Sequence, residues 1–182
     1  MNRTAVVALA LLLAAAGGCR RESKSPVPST PNAANRVAMR PVSLFYESPR
    51  MLLAAESRSV ALPESPAAAV PVVLRELLKG PGVAASTRLF PADTILRGAY
   101  MLPGGTVVVD LGGPTIAAGW STGSHQELMA VHSIVQTVTT NFPEVRRVRL
   151  VVNGSPNETL AGHLSLTRSF APLPDLSEPA AR

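Results

Sequence analysis

The stretch GSHQELMAVHSIVQTVTTNFP, residues 123–143, restricts how this 182-residue chain can fold more than any other. At 100° per residue, Leu128, Val131, Val135, Val138 and Phe142 fall on one stripe of a helix. A one-sided apolar stripe gains little stability alone in water and must be buried against a second layer. Ser124 followed by Glu127 reads as a capping box, in which serine and glutamate satisfy the first free amides. His125 and His132 edge the stripe. Their Cα atoms are separated by about 10 Å along the axis, whereas one metal on a helix takes ligands at i, i+3 or i, i+4. The HQE triplet echoes the H-x-E of zinc deaminases, but the required P-C-x-x-C is absent. The segment is expected to cap and pack, with no metal and no cofactor.

The second layer is legible as short strands. VSLFY (42–46) is rich in β-branched and aromatic residues. SPAAAVPVVLRELLKGP opens at Ser65-Pro66 and stops at Gly80-Pro81 as a helix does. Pro71 would cost a backbone hydrogen bond, so the helix is expected to begin properly near that residue. DTILRGAYML and TVVVDLG flank the turn former PGG (103–105), which argues a hairpin. VRRVRLVVNGS (145–155) alternates apolar residues with arginine, and HLSLTRS reads as one further strand. The order predicts an α+β domain with two helices packed on one face of a three- to five-stranded mixed sheet. The other face is then open. Alternate residues Arg147, Arg149 and Val151 point to it, and they form the expected partner-binding surface.

The N-terminus has a different character. MNRTAVVALALLLAAAGGC carries Arg3, an apolar run too short to span a bilayer, and small residues before Cys19. It resembles a bacterial lipoprotein signal, with AAGGC at the lipobox, although Ala16 and Gly17 depart from the common box. The resemblance implies that residues 1–18 are removed and Cys19 is lipidated. As Cys19 is the chain's one cysteine, the body has no disulfide or thiolate ligand. Residues 19–40, broken by Pro26, Pro28 and Pro31, read as a disordered tether spanning roughly 25 Å as a loose coil. Residues 171–182 read as a disordered C-terminal tail.

The net charge of +5 raises nucleic acid as a partner. However, from residue 51 onward ten basic and ten acidic side chains balance. The excess lies in the tether, where Arg20, Arg21 and Lys24 suit anionic headgroups. A neutral body argues against phosphate-backbone binding, and TVVVDLG lacks the stacking aromatics of an RNA-recognition strand. No nucleic-acid partner is expected.

Catalytic constellations are weak. Asp110 before Gly112-Gly113 reads as a turn residue rather than a general base. No serine sits in a G-x-S-x-G elbow, and neither glycine-rich stretch has a Walker lysine or G-x-G-x-x-G spacing. Trp120 reads equally as core anchor or surface contact.

The strings VSLFY, LRELLKGP, LFPADTIL, GGTVVVDLG, GSHQELMAVHSIVQTVTTNFPEVRRVRLVVNG and LAGHLS, in this order and spacing, resemble the GerMN domain of sporulation and spore-germination lipoproteins. The match runs from VSLFY to about HLSL, and residues 41–170 are assigned to the domain. Ser165 stands where the family often has an aspartate. The resemblance implies a small fold related to the ring-building motif of secretion-like envelope complexes. It carries over no catalytic residue. The expected function is a membrane-anchored, non-enzymatic interaction or assembly module. Its partners are the membrane through its lipid, and envelope proteins or further copies. The alternative is a peptidoglycan-binding module or envelope hydrolase using Asp110 and His132. Localisation is the cell envelope, at the outer membrane in a two-membrane cell, because Arg20 is not the aspartate that retains lipoproteins inside.

Overall fold

A computed structural model describes residues 37–179. Cys19, the leader and residues 19–36 of the expected tether lie outside the described residues. The elements are β1 (Val37–Glu47), β2 (Leu53–Pro63), α1 (Pro66–Leu78), β3 (Ile95–Leu102), β4 (Thr106–Gly112), α2 (Pro114–Ala117), α3 (Ser124–Asn141) and β5 (Arg147–Val152). A 3-10 turn follows at Pro174–Leu176. The fold is α+β, with a three-stranded mixed sheet in the order β3-β4-β5 and a two-stranded antiparallel ribbon β1-β2. No helix among the described residues is long and apolar enough to cross a membrane.

The hairpin expected around residues 103–105 is β3–β4. Gly104 and Gly105 take φ of 86° and 78°, a region that suits residues without a Cβ. The Gly105 carbonyl then accepts the amides of Arg146 at 2.7 Å and Arg147 at 3.2 Å, which fixes where β5 starts. Because β5 runs parallel to β4, the chain must cross over between them, and α3 makes that crossing. Val107, Val109 and Leu111 of β4 and Val148, Leu150 and Val152 of β5 are buried on the inner face. Helices α1 and α3 pack on each other, α1 against β3 and α3 against β5, while β1 lies against both helices.

Two sequence expectations are corrected, and one strand is added to them. Helix α1 starts at Pro66, not near Pro71, which sits inside it. The carbonyl that loses its partner belongs to Ala67, which is exposed and can be hydrated. HLSLTRS forms no strand. Only Phe170 beyond it pairs, as a single bridge to Val148. Strand β2, which had no β-branched run to announce it, takes β1 into a ribbon of its own.

The domain is also wider at both ends than expected. Val37–Arg40, placed in the tether, already pair with β2. Within the expected tail, the Glu178 amide donates to the Leu53 carbonyl at 2.8 Å, and the Ser48 hydroxyl donates to the Glu178 carboxylate at 2.6 Å.

The outer edge of β1 is closed by a helix instead of a strand. Ser133, Thr137 and Asn141 lie along one ridge of α3, four residues apart. The Ser133 hydroxyl donates to the Phe45 carbonyl at 2.7 Å, and the Phe45 amide donates to Thr137 Oγ1 at 3.1 Å. Asn141 Oδ1 accepts the Ser43 amide at 2.9 Å, and its Nδ2 donates to the Ser43 carbonyl at 2.7 Å. The match is geometric. Strand residues 43 and 45 are separated by about 6.7 Å and helix residues four apart by about 6 Å. Replacing Thr137 by valine keeps the shape but orphans a buried amide. Thr137→Val is expected to lower unfolding stability by about 1–2 kcal/mol, read from urea denaturation; an unchanged midpoint would contradict this.

Candidate functional site

Glu127 was expected to cap its own helix. It does not: the N-cap is Gly123, and neither Ser124 nor Glu127 makes a side-chain cap bond. The glutamate is instead fully buried, at 0% exposure, and turns to the loop 160–164. Its Oε1 accepts the amides of Leu160 at 2.8 Å and Ala161 at 2.7 Å. Its Oε2 accepts those of His163 at 2.7 Å and Leu164 at 3.0 Å. Burying a carboxylate is tolerable only when its lone pairs are all met, and four converging amides meet them. Without that carboxylate, the loop would leave four donors unpaired near the core. Ser165, just beyond, is exposed, and its hydroxyl lies 2.9 Å from that of Thr167.

The loop covers one end of α3; the opposite face of the three-stranded sheet is open. Its cross-strand rows are Leu102–Thr106–Arg147, Tyr100–Val108–Arg149 and Gly98–Asp110–Val151. Arg147 and Arg149 are exposed and Val151 is half-buried, so alternation along β5 places all three on that face. Tyr100 is 59% exposed. Its ring folds back over Gly98, where a Cβ would lie 2.5 Å from the hydroxyl. The face thus combines a flat aromatic ring, Leu102, Val108 and two arginines that no described carboxylate pairs.

Asp110 is held within this face as a structural group. Its Oδ1 accepts the Gly154 amide at 2.9 Å in the Asn153-Gly154 turn, and its Oδ2 accepts from Arg97 Nε at 3.3 Å. His132 lies on α3 below the sheet, edge-on to Phe170 with ring centroids 5.8 Å apart. Burial pushes its pKa down. No hydrogen bond joins Asp110 and His132, so the structure does not assemble the acid–base pair that a hydrolase reading needs. His125 contacts Glu47 at 2.6 Å and His163 the Thr122 carbonyl at 2.9 Å. No three His, Cys, Asp or Glu side chains among the described residues converge on a metal-sized position. Trp120 is a core anchor, buried against Phe90 with centroids 6.2 Å apart.

A second polar cluster closes the C-terminal end of α1. Arg58 Nη2 donates to the Gly80 carbonyl at 2.7 Å and to Glu56 at 2.6 Å, and Nη1 reaches Glu76 at 3.2 Å. The Tyr46 hydroxyl lies 3.0 Å from the carbonyls of both Leu77 and Gly80. Burial pushes that phenol up to about 12, so it remains a donor. Burial alone would raise Glu56, but hydrogen bonds from Arg58 and the Gly82 and Val83 amides outweigh it and hold the carboxyl below its usual range. The last-turn carbonyl of Leu77 and that of Gly80 just past the helix end lack helical partners, and side chains from β1 and β2 reach them here.

The fold and face define a small α+β domain with a helix-covered side and an open side, and comparison with known proteins places it. The model of a family described as sporulation and spore germination (Germane) matches residues 43–158, and the chain belongs to that family. Among solved structures, the tandem GerMN domains of the sporulation protein GerM from Bacillus subtilis align with a TM-score of 0.56 at 20% identity, over 78% of this chain. This chain spans 48% of that tandem protein. A "putative lipoprotein" from Clostridium perfringens aligns with a TM-score of 0.53 at 15% identity, covering 78% of this chain and 93% of the other. None of the curated proteins compared matches the chain.

Sequence reasoning placed Arg147, Arg149 and Val151 on one outward side of β5 but missed what Glu127 does. Ser133, Thr137 and Asn141 were detectable as polar residues on one ridge of an otherwise apolar helix. Glu127→Gln keeps the size but presents an amino group to donors. It is expected to lower stability by about 2–4 kcal/mol and to open 160–164 to limited proteolysis. Wild-type resistance and an unchanged urea midpoint would contradict the clamp.

Proposed function

We propose that this protein is a cell-envelope lipoprotein, anchored through Cys19, whose GerMN domain is a non-catalytic interaction module. In this reading the open sheet face carrying Arg147, Arg149 and Val151 binds another envelope protein or a second copy of the domain. The observation that carries it is the face itself. One side of the sheet is sealed by two helices, while the other presents Tyr100, Leu102 and Val108 beside Arg147 and Arg149, which no described carboxylate pairs. An aromatic and apolar centre with arginine beside it is the composition found in the energetic core of protein interfaces. Family membership supports an envelope setting, as does the likeness in fold to a protein described as a lipoprotein. Anchorage follows from the leader before Cys19, and Arg20 behind it favours the outer membrane in a two-membrane cell.

The test is crosslinking of the full chain in intact cells, followed by fractionation. Arg149→Glu is expected to abolish the main crosslinked species while leaving the melting temperature within about 2 °C of wild type, because the exposed Arg149 side chain makes no hydrogen bond or ion pair with a described residue. Cys19→Ala should release the protein from the membrane fraction. An undiminished crosslink in Arg149→Glu would sink the interface, and unaltered fractionation of Cys19→Ala would sink the anchor.

A further inference from the structure

A cavity of about 320 Å³ opens between α3, the segment 164–173 and the start of β5. That volume lies at the lower end of the roughly 300–1,000 Å³ typical of small-molecule sites. Leu128, Leu173 and Phe170 supply apolar walls, and Arg147 and Arg168 supply charge. Neither arginine makes an ion pair or hydrogen bond with any described residue.

The third polar group is His132, which is only 4% exposed yet lines the cavity. Neither of its ring nitrogens is hydrogen-bonded to a described residue. The sealed, unpartnered side-chain atoms among the described residues are Thr94 Oγ1 and Ser177 Oγ, so the imidazole nitrogens retain an opening. That opening is the cavity. The T-shaped contact of His132 with Phe170, with ring centroids 5.8 Å apart, holds the ring at the cavity wall.

We propose that this cavity is a binding site for a carboxylate carried on a short apolar group, with Arg147 and Arg168 on the carboxylate, His132 as a hydrogen-bond partner and Leu128, Leu173 and Phe170 around the apolar part. Arginine suits this ligand because its planar fork matches the two carboxylate oxygens. The chemistry is shared by the C-terminal residue of a peptide and by a free short-chain acid. The site shares Arg147 with the open face; Arg149 reports on that face alone, and Arg168 on the cavity alone.

The experiment is isothermal titration of the full chain at pH 7 with N-acetyl-Ala-Leu, its C-terminal amide, hexanoate and inorganic phosphate. The carboxylates are expected to bind one to one, with the amide at least about tenfold weaker, as loss of a charged hydrogen-bond acceptor implies. Arg168→Gln should weaken carboxylate binding by a similar factor, while Arg149→Gln leaves it unchanged. His132→Leu should weaken it too, with circular dichroism reporting whether that variant is folded. Tighter binding of the peptide than of hexanoate assigns a peptide terminus; the reverse assigns a free acid. Equal binding of acid and amide, phosphate binding as tight as either carboxylate, an unaffected Arg168→Gln, or no heat up to about 10 mM overturns the proposal.

Discussion

The domain depends on α3 being buried on most sides while still carrying polar groups. A helix hydrophobic all round would pack anywhere in a core with little preference for register. This one carries Glu127 near its start and Ser133, Thr137 and Asn141 further along, and each meets a backbone group that would otherwise be unpaired. Unmet backbone donors and acceptors in a core are costly, so these bonds penalise rotation or sliding of α3 more strongly than apolar contacts do. The helix therefore sets the position of β1 at one side and the 160–164 loop at the other.

From that placement the two-sided character of the sheet follows. With α1 and α3 on the inner face, Val107, Val109, Val148 and Leu150 are sealed, and the period-two alternation of strands sends Val108, Arg147 and Arg149 outward. The ribbon β1-β2 does not extend the three-stranded sheet, because α3 and the Thr87 amide occupy the outer edge of β1. The outward side is thus a small sheet face with no element of the described domain left to cover it.

Much of this was legible in the sequence, wherever apolar periodicity and turn chemistry agreed. Pro-Gly-Gly marked the β3–β4 turn, the valine–arginine alternation marked β5 and its outward residues, and Leu128 to Phe142 marked α3. The class of fold followed from their order. Strand β2 was not legible, because LAAESRSVALP is built from small and polar residues and becomes a strand only by pairing with β1 along its whole length. Glu127 was misread because a capping box is a local pattern. The four amides that capture the carboxylate come from a loop more than thirty residues away, which no window on the helix contains. The ends were drawn too narrowly for a similar reason: proline and charge content signal a tail, but Ser48 and Leu53 hold Glu178 in place.

The most direct test of this account is native-state hydrogen exchange of the full chain, followed amide by amide. The account predicts that the amides of Ser43 and Phe45 on the strand edge, and of Leu160, Ala161, His163 and Leu164 in the loop, exchange only with global unfolding, like the core of β4. Exchange of these six amides at the rate of ordinary exposed loops, with β4 still protected, would contradict the claim that α3 holds both parts of the domain together.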